Sequence, residues 1–160
     1  MGPSRYAVLA ATALGVIILD QLTKELALSG LADGPVDLIE GALTLRLTFN
    51  SGGAFGLLQG LPGFFLVATL VVVVAILLWV RRIEDVRWMV PLGMVLGGGI
   101  GNVIDRVVRE TGGVVDFIDL HWWPVFNLAD ASIVIGVALI LLLSARSGPP
   151  AEQGVGSVHG

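Results

Sequence analysis

The sequence predicts a mainly α-helical membrane protein: four transmembrane helices with a small antiparallel β-sheet on the outer surface of the membrane. Three observations support this fold class. Hydrophobic residues make up 55% of the 160 residues and charged residues only 14%, against roughly 25% charged in soluble domains. Four apolar segments are long enough to cross a bilayer as helices. A further segment, between the first two, alternates apolar and polar residues as a β-strand does.

The four predicted spans are residues 6–28, 62–80, 88–107 and 128–145. Each has about 20 mostly apolar residues, the length that crosses the hydrocarbon core of a bilayer. The first also resembles a signal peptide, but its apolar run continues through Asp20 and Lys24 with no prompt cleavage site, so we expect it to be retained. The second span contains no charge, and Pro62 suits its first turn.

Arginines in the short loops predict the orientation. The positive-inside rule assigns the side of a four-span protein that is rich in Arg to the cytoplasm. That side holds Arg5, Arg81, Arg82, Arg87 and Arg146. Both termini are therefore expected in the cytoplasm. Residues 1–146 are predicted to form a single membrane domain, and the Pro- and Gly-rich residues 147–160 a flexible cytoplasmic tail.

Apolar and polar residues alternate from Leu43 to Asn50, which predicts a strand with one apolar and one wet face. A lone strand cannot cross lipid because its backbone groups would stay unsatisfied. We therefore expect it on the outer surface, within an extracytoplasmic β insertion at about residues 33–56, with residues 114–118 as a pairing partner. The insertion ends in a glycine-rich turn at residues 50–56.

The composition excludes several kinds of chemistry. The chain has no cysteine, which removes thiolate metal sites and a cysteine nucleophile. His121 is the only histidine outside the tail and lies beside two tryptophans that suit a membrane interface, so we expect no zinc or other metal. No Gly-x-Ser-x-Gly or Ser-x-x-Lys pattern supports serine hydrolysis. The nine Lys and Arg residues are scattered, so no nucleic-acid surface is expected.

Polar residues concentrate between Gly97 and Asp130 in an otherwise apolar chain, and near a bilayer such groups are costly without a partner or a task. Asp116 and Asp130 flank a short aromatic segment that brings them face to face if it folds back. Two facing carboxylates are the minimum for aspartic-type hydrolysis, because their repulsion keeps one protonated and the other ionised. Alternatively, Asn127 and Asp130 only cap the fourth helix.

Two further groups of polar residues each share one helix face. Asp20 and Lys24, four residues apart, form either a structural ion pair or a brace for a polar site, and both can hold. Asn102, Asp105 and Arg106 serve either a structural network or the positioning of a substrate carbonyl or active carboxylate. They adjoin a predicted helix-packing seam with small-xxx-small spacing. The seam residues are Gly93, Gly97 and Gly101.

Five separated blocks of sequence together resemble a known family. They are DQLTK at 20–24, NSGGAFG at 50–56, GGGIGNVIDR at 97–106, VDFI at 115–118 and FNLAD at 126–130. Each block is weak alone, but their order among four spans resembles that of bacterial lipoprotein signal peptidase, also called signal peptidase II, over nearly all of the chain except the tail. The resemblance implies an intramembrane aspartyl endopeptidase. Such an enzyme removes signal peptides from diacylglyceryl-modified prolipoproteins by cleaving before the lipidated cysteine.

The resemblance also implies roles for individual residues. Asp116 and Asp130 match the catalytic aspartates. The residues that match substrate-binding or site-supporting positions are Asp20, Lys24, Asn50, Asn102, Arg106 and Asn127. We expect no cofactor, a monomer, and prolipoprotein substrates and membrane lipid as partners. The expected location is the bacterial cytoplasmic (inner) membrane, with the active site at the outer leaflet.

A small ion-coupled transporter or channel subunit is the alternative, because buried Asp and Arg residues can form an ion path. Its helices should carry ionisable groups through the depth of the membrane. Here the second span carries none and the remaining groups cluster near the outer ends, which favours a surface site. In a purely structural membrane protein, Asp116 and Asp130 would only cap, and a cap tolerates Asn.

Overall fold

The computed structural model describes residues 4–50, 62–109 and 113–146. Its elements are α1 (Arg5–Gly30), β1 (Val36–Ile39), β2 (Leu43–Asn50), α2 (Pro62–Val80), α3 (Met89–Val108), β3 (Val114–Asp119) and α4 (Leu128–Arg146). A 3-10 turn at Val86–Trp88 precedes α3. The mainly helical fold with a small antiparallel sheet is confirmed. The predicted glycine-rich turn beyond Asn50 and the predicted tail lie outside the described residues.

Within the described ranges, two helices have the length and hydropathy of a membrane crossing: α1, with a mean hydropathy of 1.6, and α4, with 2.4. Within α2, Leu66–Val80 forms a shorter apolar helix. Helix α3 is less apolar but contacts α1, α2 and α4, so it is largely enclosed by protein. A helix enclosed by protein can carry glycines and polar side chains that a lipid-facing helix could not. The outward faces of the other three helices expose many large hydrophobic side chains, as lipid-facing surfaces do.

Glycines bring α3 close to α1. A Cβ atom at Gly97 would lie 2.6 Å from the carbonyl oxygen of Ala13, and one at Gly101 would lie 2.6 Å from Oδ2 of Asp20. Any larger side chain at these positions would push the two helices apart. The predicted seam is therefore confirmed, and at Gly101 it brings the backbone of α3 against the ion pair of α1.

The sheet has the order β1-β2-β3, and both pairs of strands are antiparallel. The predicted strand and its predicted partner are both confirmed. Thr48 of β2 lies opposite Asp116 of β3, and directly opposed residues share one face of a sheet. Asn50 follows Thr48 by two residues and lies on the same face. The register thus places Asp116 of β3 on the same face of the sheet as Thr48 and Asn50 of β2.

The other end of β2 lies beyond a register shift between Leu45 and Thr48, where Thr44 pairs with Asp119 and is less exposed to water than the alternation predicts. Thr44 is only 6% exposed, because its hydroxyl donates to Oδ1 of Asp37 at 2.5 Å and lies 2.9 Å from Nε2 of His121. Thr44 is four residues along β2 from the pairing with Asp116. His121 therefore binds a part of the sheet away from the candidate carboxylate, as expected for a residue outside the catalytic pair.

The opposite face of the sheet is apolar and packs on the C-terminal end of α1. Ala27, Leu31 and Phe117 form a small buried cluster, with Leu45 and Leu47 packed against it. Phe117 follows Asp116 in β3, and its side chain points to the other face of the sheet. Burial of Phe117 against α1 therefore fixes the position of Asp116 along the helix axes.

Candidate active site

Strand β3 presents the Asp116 carboxylate in a buried position, 1% exposed. Nδ2 of Asn127 donates to its Oδ1 at 2.7 Å, and Nδ2 of Asn50 donates to its Oδ2 at 3.1 Å. Each carboxylate oxygen thus accepts a hydrogen bond from a neutral amide. Amides satisfy these oxygens without a full positive charge, so the carboxyl group can change its protonation state in place.

Asp130 lies in the first turn of α4, where it takes part in a reciprocal cap. The Asp130 backbone N–H donates to Oδ1 of Asn127 at 2.9 Å, and the Asn127 backbone N–H donates to Oδ2 of Asp130 at 3.4 Å. This is the geometry of a capping box. The predicted capping is therefore confirmed, and because the cap leaves Nδ2 of Asn127 available for Asp116, it is compatible with the predicted role of both residues in a site.

Two asparagines link the carboxylates. Nδ2 of Asn127 also donates to Oδ1 of Asn102 at 3.2 Å, and Nδ2 of Asn102 donates to Oδ1 of Asp130 at 2.8 Å. The result is a continuous chain from Asp116 through Asn127 and Asn102 to Asp130. Nζ of Lys24 donates to Oδ1 of Asn102 at 3.1 Å. Since an ammonium only donates, it fixes the amide of Asn102 with its N–H groups toward Asp130.

Burial, followed by the negative charge of Asp130, raises the pKa of Asp116 to about 7, although the hydrogen bonds from Asn50 and Asn127 act in the opposite direction. Asp116 is therefore poised to exchange a proton near neutral pH. Two coupled carboxylates of this kind titrate as a unit and can hold one proton between them.

This pKa makes the fold less stable as the pH rises from about 4 to about 7. In that interval the folded protein keeps the Asp116 proton, while the unfolded chain, with the ordinary pKa of 3.8, has lost it. The Asp116→Asn variant lacks this titration. Its stability relative to wild type should therefore rise by a few kcal/mol between about pH 4.5 and about pH 8, at ~1.4 kcal/mol per unit of pKa shift. Thermal melting of both proteins in detergent at the two pH values measures this change. A stability difference between Asp116→Asn and wild type that is the same at both pH values contradicts the prediction.

Beneath the two carboxylates lies a buried ion network centred on Lys24. Its Nζ lies 2.8 Å from Oδ2 of Asp20 and 2.9 Å from Oδ2 of Asp105, and all three side chains are fully buried. Oδ1 of Asp20 accepts from the backbone N–H of Ala129, next to Asp130, at 2.9 Å. The Asp20–Lys24 pair is thus both a structural ion pair and a brace for the site, joining α1, α3 and α4.

Asp105 has a larger part in the site than its sequence position indicates. It binds Lys24 and also accepts from Nε2 of Gln21, Nε of Arg109 and the backbone N–H of Val115, each at 3.1 Å. Val115 precedes Asp116, so Asp105 anchors the strand that carries the candidate carboxylate. The sequence predicts Asp105 on the polar face of α3 but does not identify it as a site residue, and it gives no signal for Gln21.

Arg106 adds a positive charge beside the pair. Its Nη1 donates to the backbone oxygen of Asn102 at 3.1 Å, and its guanidinium interacts electrostatically with Asp130 and Asp116. Its buried Nε has no hydrogen-bond partner among the described residues. The structure brings together all eight predicted site residues: Asp20, Lys24, Asn50, Asn102, Arg106, Asp116, Asn127 and Asp130.

The fold and this cluster define the class of protein: a membrane enzyme in which a buried aspartate and a partly buried one share a network of amides. A family model described as Signal peptidase (SPase) II matches residues 12–146. The chain therefore belongs to the signal peptidase II family, whose members are aspartic peptidases. Membership of a peptidase family decides against the alternative of a transporter or channel subunit.

Relatives and solved structures agree with this assignment. The chain is 42% identical over 147 residues to the lipoprotein signal peptidase of Mycobacterium avium (strain 104), covering 89% of this chain and 81% of that protein. It is 41% identical to the one of Mycobacterium tuberculosis (strain ATCC 25618 / H37Rv), covering 89% and 73%. Two bacterial membrane enzymes solved by the in meso method superpose on it. The first has a TM-score of 0.78 at 30% sequence identity, and the match covers 90% of this chain and 91% of that one. The second has a TM-score of 0.73 at 32% identity, and the match covers 86% of this chain and 92% of that one.

Proposed function

We propose that this protein is a lipoprotein signal peptidase, an aspartyl endopeptidase that removes the signal peptide from diacylglyceryl-modified prolipoproteins by cleaving before the lipidated cysteine. The observation that carries the proposal is the continuous chain of hydrogen bonds from Asp116 through Asn127 and Asn102 to Asp130. Family membership supplies the substrate class. No metal or cofactor enters the mechanism.

The chemistry follows from a pair that holds one proton. The ionised carboxylate takes a proton from a water molecule, which attacks the scissile carbonyl carbon, while the protonated carboxyl donates a hydrogen bond to the carbonyl oxygen. The resulting tetrahedral intermediate collapses when the leaving amine accepts a proton from the pair. Asn102 and Asn127 keep both carboxylates oriented, and we assign Arg106 to stabilisation of the negative charge that develops on the substrate oxygen.

We assign Asp20, Lys24 and Asn50 to supporting the site. The Asp20–Lys24 pair fixes Asn102 and the first turn of α4 from below. Asn50 holds one oxygen of Asp116 from β2. These residues act through other side chains and not on the substrate, so they are positioning residues.

The expected activity can be tested directly with purified protein in detergent. A diacylglyceryl-modified prolipoprotein should be cleaved, giving a faster-migrating product on a gel, whereas the same precursor without the lipid should remain intact. Cleavage should continue in the presence of a metal chelator, because two carboxylates suffice for the hydrolysis. Failure to cleave the lipidated precursor, or inhibition by the chelator, contradicts the proposal.

We further propose that all four helices span the bacterial cytoplasmic membrane, that residues 1–146 act as one monomeric membrane domain, and that the site lies at the outer leaflet in contact with lipid. The support for four spans is the apolar outward surface of α1, α2 and α4 around α3. The support for both termini and residues 147–160 being cytoplasmic is the Arg-rich side of the chain.

Reporter fusions test this orientation. A fusion after Arg82, between α2 and α3, should report a cytoplasmic position, as should a fusion at the C-terminus. A fusion at Asp37, in β1, should report the opposite side. The physical reason is the cost of moving clustered arginines across the membrane. An external Arg82 would place the site at the wrong leaflet and overturn the orientation.

A further inference from the structure

An apolar groove adjoins Asp130 on the outer side of α4. It encloses about 350 Å³, and its walls are Leu120, Trp122 and Phe126 from the segment before α4 and Val134 and Ile135 from the helix. Among the described residues of this lining, Asp130 is the only ionisable one. Positions 130, 131, 134 and 135 share one helix face, so the groove follows α4 from its first turn into the span.

We infer that this groove holds an acyl chain of the diacylglyceryl group on the substrate cysteine. The inference rests on the proposed function and goes beyond it by assigning a lipid subsite to particular residues. Its basis is continuity: a chain lying in the groove ends beside Asp130, and in the proposed substrate the lipid is attached to the residue at the scissile bond. Val134 and Ile135 are 62% and 50% exposed, so the groove is open to the bilayer along its length.

The size and lining of the groove distinguish an acyl chain from the other apolar part of the substrate, the helical signal peptide. A helix with its side chains is about 10 Å wide, so three turns of it occupy more than ~1,000 Å³. That is about three times the volume of the groove, so a helix cannot lie within the groove and can only pack across its open side. The apolar walls also offer no partners to an extended peptide backbone, whose polar groups would be left unsatisfied. An acyl chain is a single file of methylene groups, so it is narrower than a helix and has no backbone polar groups to satisfy.

The groove should contribute mainly to the orientation of the substrate and little to its binding affinity. An acyl chain that leaves the bilayer for an apolar groove exchanges one apolar environment for another, and the hydrophobic gain is small. A chain held along α4 restricts the positions that the attached cysteine can take relative to Asp130. Such restriction acts on reaction rate through geometry. Filling the groove should therefore lower kcat/KM for a long-chain substrate and have little effect on a short-chain one.

The test compares Val134→Trp with Val71→Trp. Val71 is equally exposed, at 62%, and lines a groove of about 290 Å³ on α2 with Val67, Leu70 and Val74, so it is a matched control. With a dipalmitoyl prolipoprotein in detergent, Val134→Trp should lower kcat/KM about tenfold, whereas Val71→Trp should resemble wild type. With a dihexanoyl prolipoprotein, both variants should resemble wild type. Equal activity of Val134→Trp and wild type on the dipalmitoyl substrate, or equal losses on both substrates, overturns the inference.

A second measurement needs no change in the groove. A prolipoprotein with a photoreactive diazirine in its palmitoyl chains should label the walls of the groove, around Phe126 and Val134, when it is irradiated with the Asp116→Asn protein. Labelling confined to other segments overturns the subsite. Wild-type protein that cleaves no lipidated precursor overturns the proposed function itself, so the two failures are distinct.

Discussion

Asp116→Asn and Asp130→Asn should each reduce cleavage of a lipidated prolipoprotein at least about a thousandfold, within the range that general acid–base catalysis contributes. Asn has nearly the size of Asp and still accepts a hydrogen bond, so the bond from Asn127 to residue 116 and the capping box at residue 130 can persist. An amide cannot take up and release the proton that the reaction moves. The measurement is gel-shift processing of the precursor, with melting in detergent to show that each variant is folded.

The double variant should be no less active than either single variant, because residues that act as one unit do not contribute additively. Asp85→Asn is a suitable control, since Asp85 is paired with Arg87 outside the site and should be dispensable. Substantial cleavage by either Asn variant at the site would rule out a mechanism that needs both carboxyl groups.

Lys24→Met should destabilise the protein more than Asp116→Asn, Asp130→Asn or Arg87→Met. It removes the only ammonium that contacts the buried carboxylates of Asp20 and Asp105, at 2.8 and 2.9 Å. Breaking a buried ion pair by removing one partner typically costs about 3–5 kcal/mol, because the remaining charge is left uncompensated. Here two carboxylates remain, of which Asp105 keeps Arg109 as a cationic partner and Asp20 keeps none among the described residues. We expect a large fall in melting temperature in detergent and little accumulation in the membrane.

Two comparisons make this result specific to the charge. Arg87→Met breaks the exposed pair with Asp85, and it should leave stability unchanged because solvent-exposed pairs contribute little. Adding Asp20→Asn and Asp105→Asn to Lys24→Met makes the network neutral and should recover part of the lost stability. A Lys24→Met protein that melts at the wild-type temperature would show that the network is not what joins α1 to α3.

The parts of the fold that the sequence predicted are those governed by local patterns. Long apolar runs predicted the helices, and the alternation from Leu43 to Asn50 predicted β2, because burial selects residues with the period of each element. Asp116 and Asp130 were identifiable because carboxylates are expensive near a bilayer. For Asp20, Lys24, Asn102 and Arg106 the shared helix faces left a structural and a functional interpretation open, and Asn50 was assigned to the site only by the resemblance to a known family.

What the sequence did not predict depends on contacts between distant elements. Gln21 resembles any polar residue beside an ion pair, and only the packing of α3 brings Asp105 within 3.1 Å of it. The burial of Thr44 was not predicted for the same reason, since His121, which follows β3, covers the Thr44 side chain. The alternation indicates which residues share a face, but not what covers that face.

The location of the Lys24 ion pair has a consequence for how the protein is made. Asp20 and Lys24 are in α1, which leaves the ribosome before α3, while Asn102, a further partner of Lys24, follows 78 residues later. In the proposed four-span arrangement, α1 can therefore enter the membrane before α3 has been synthesised. A carboxylate and an ammonium one turn apart compensate each other within a single helix. The Asp20–Lys24 pair thus removes the net charge from this part of α1 during insertion. The same two residues later bind α3 and α4 as the helices assemble.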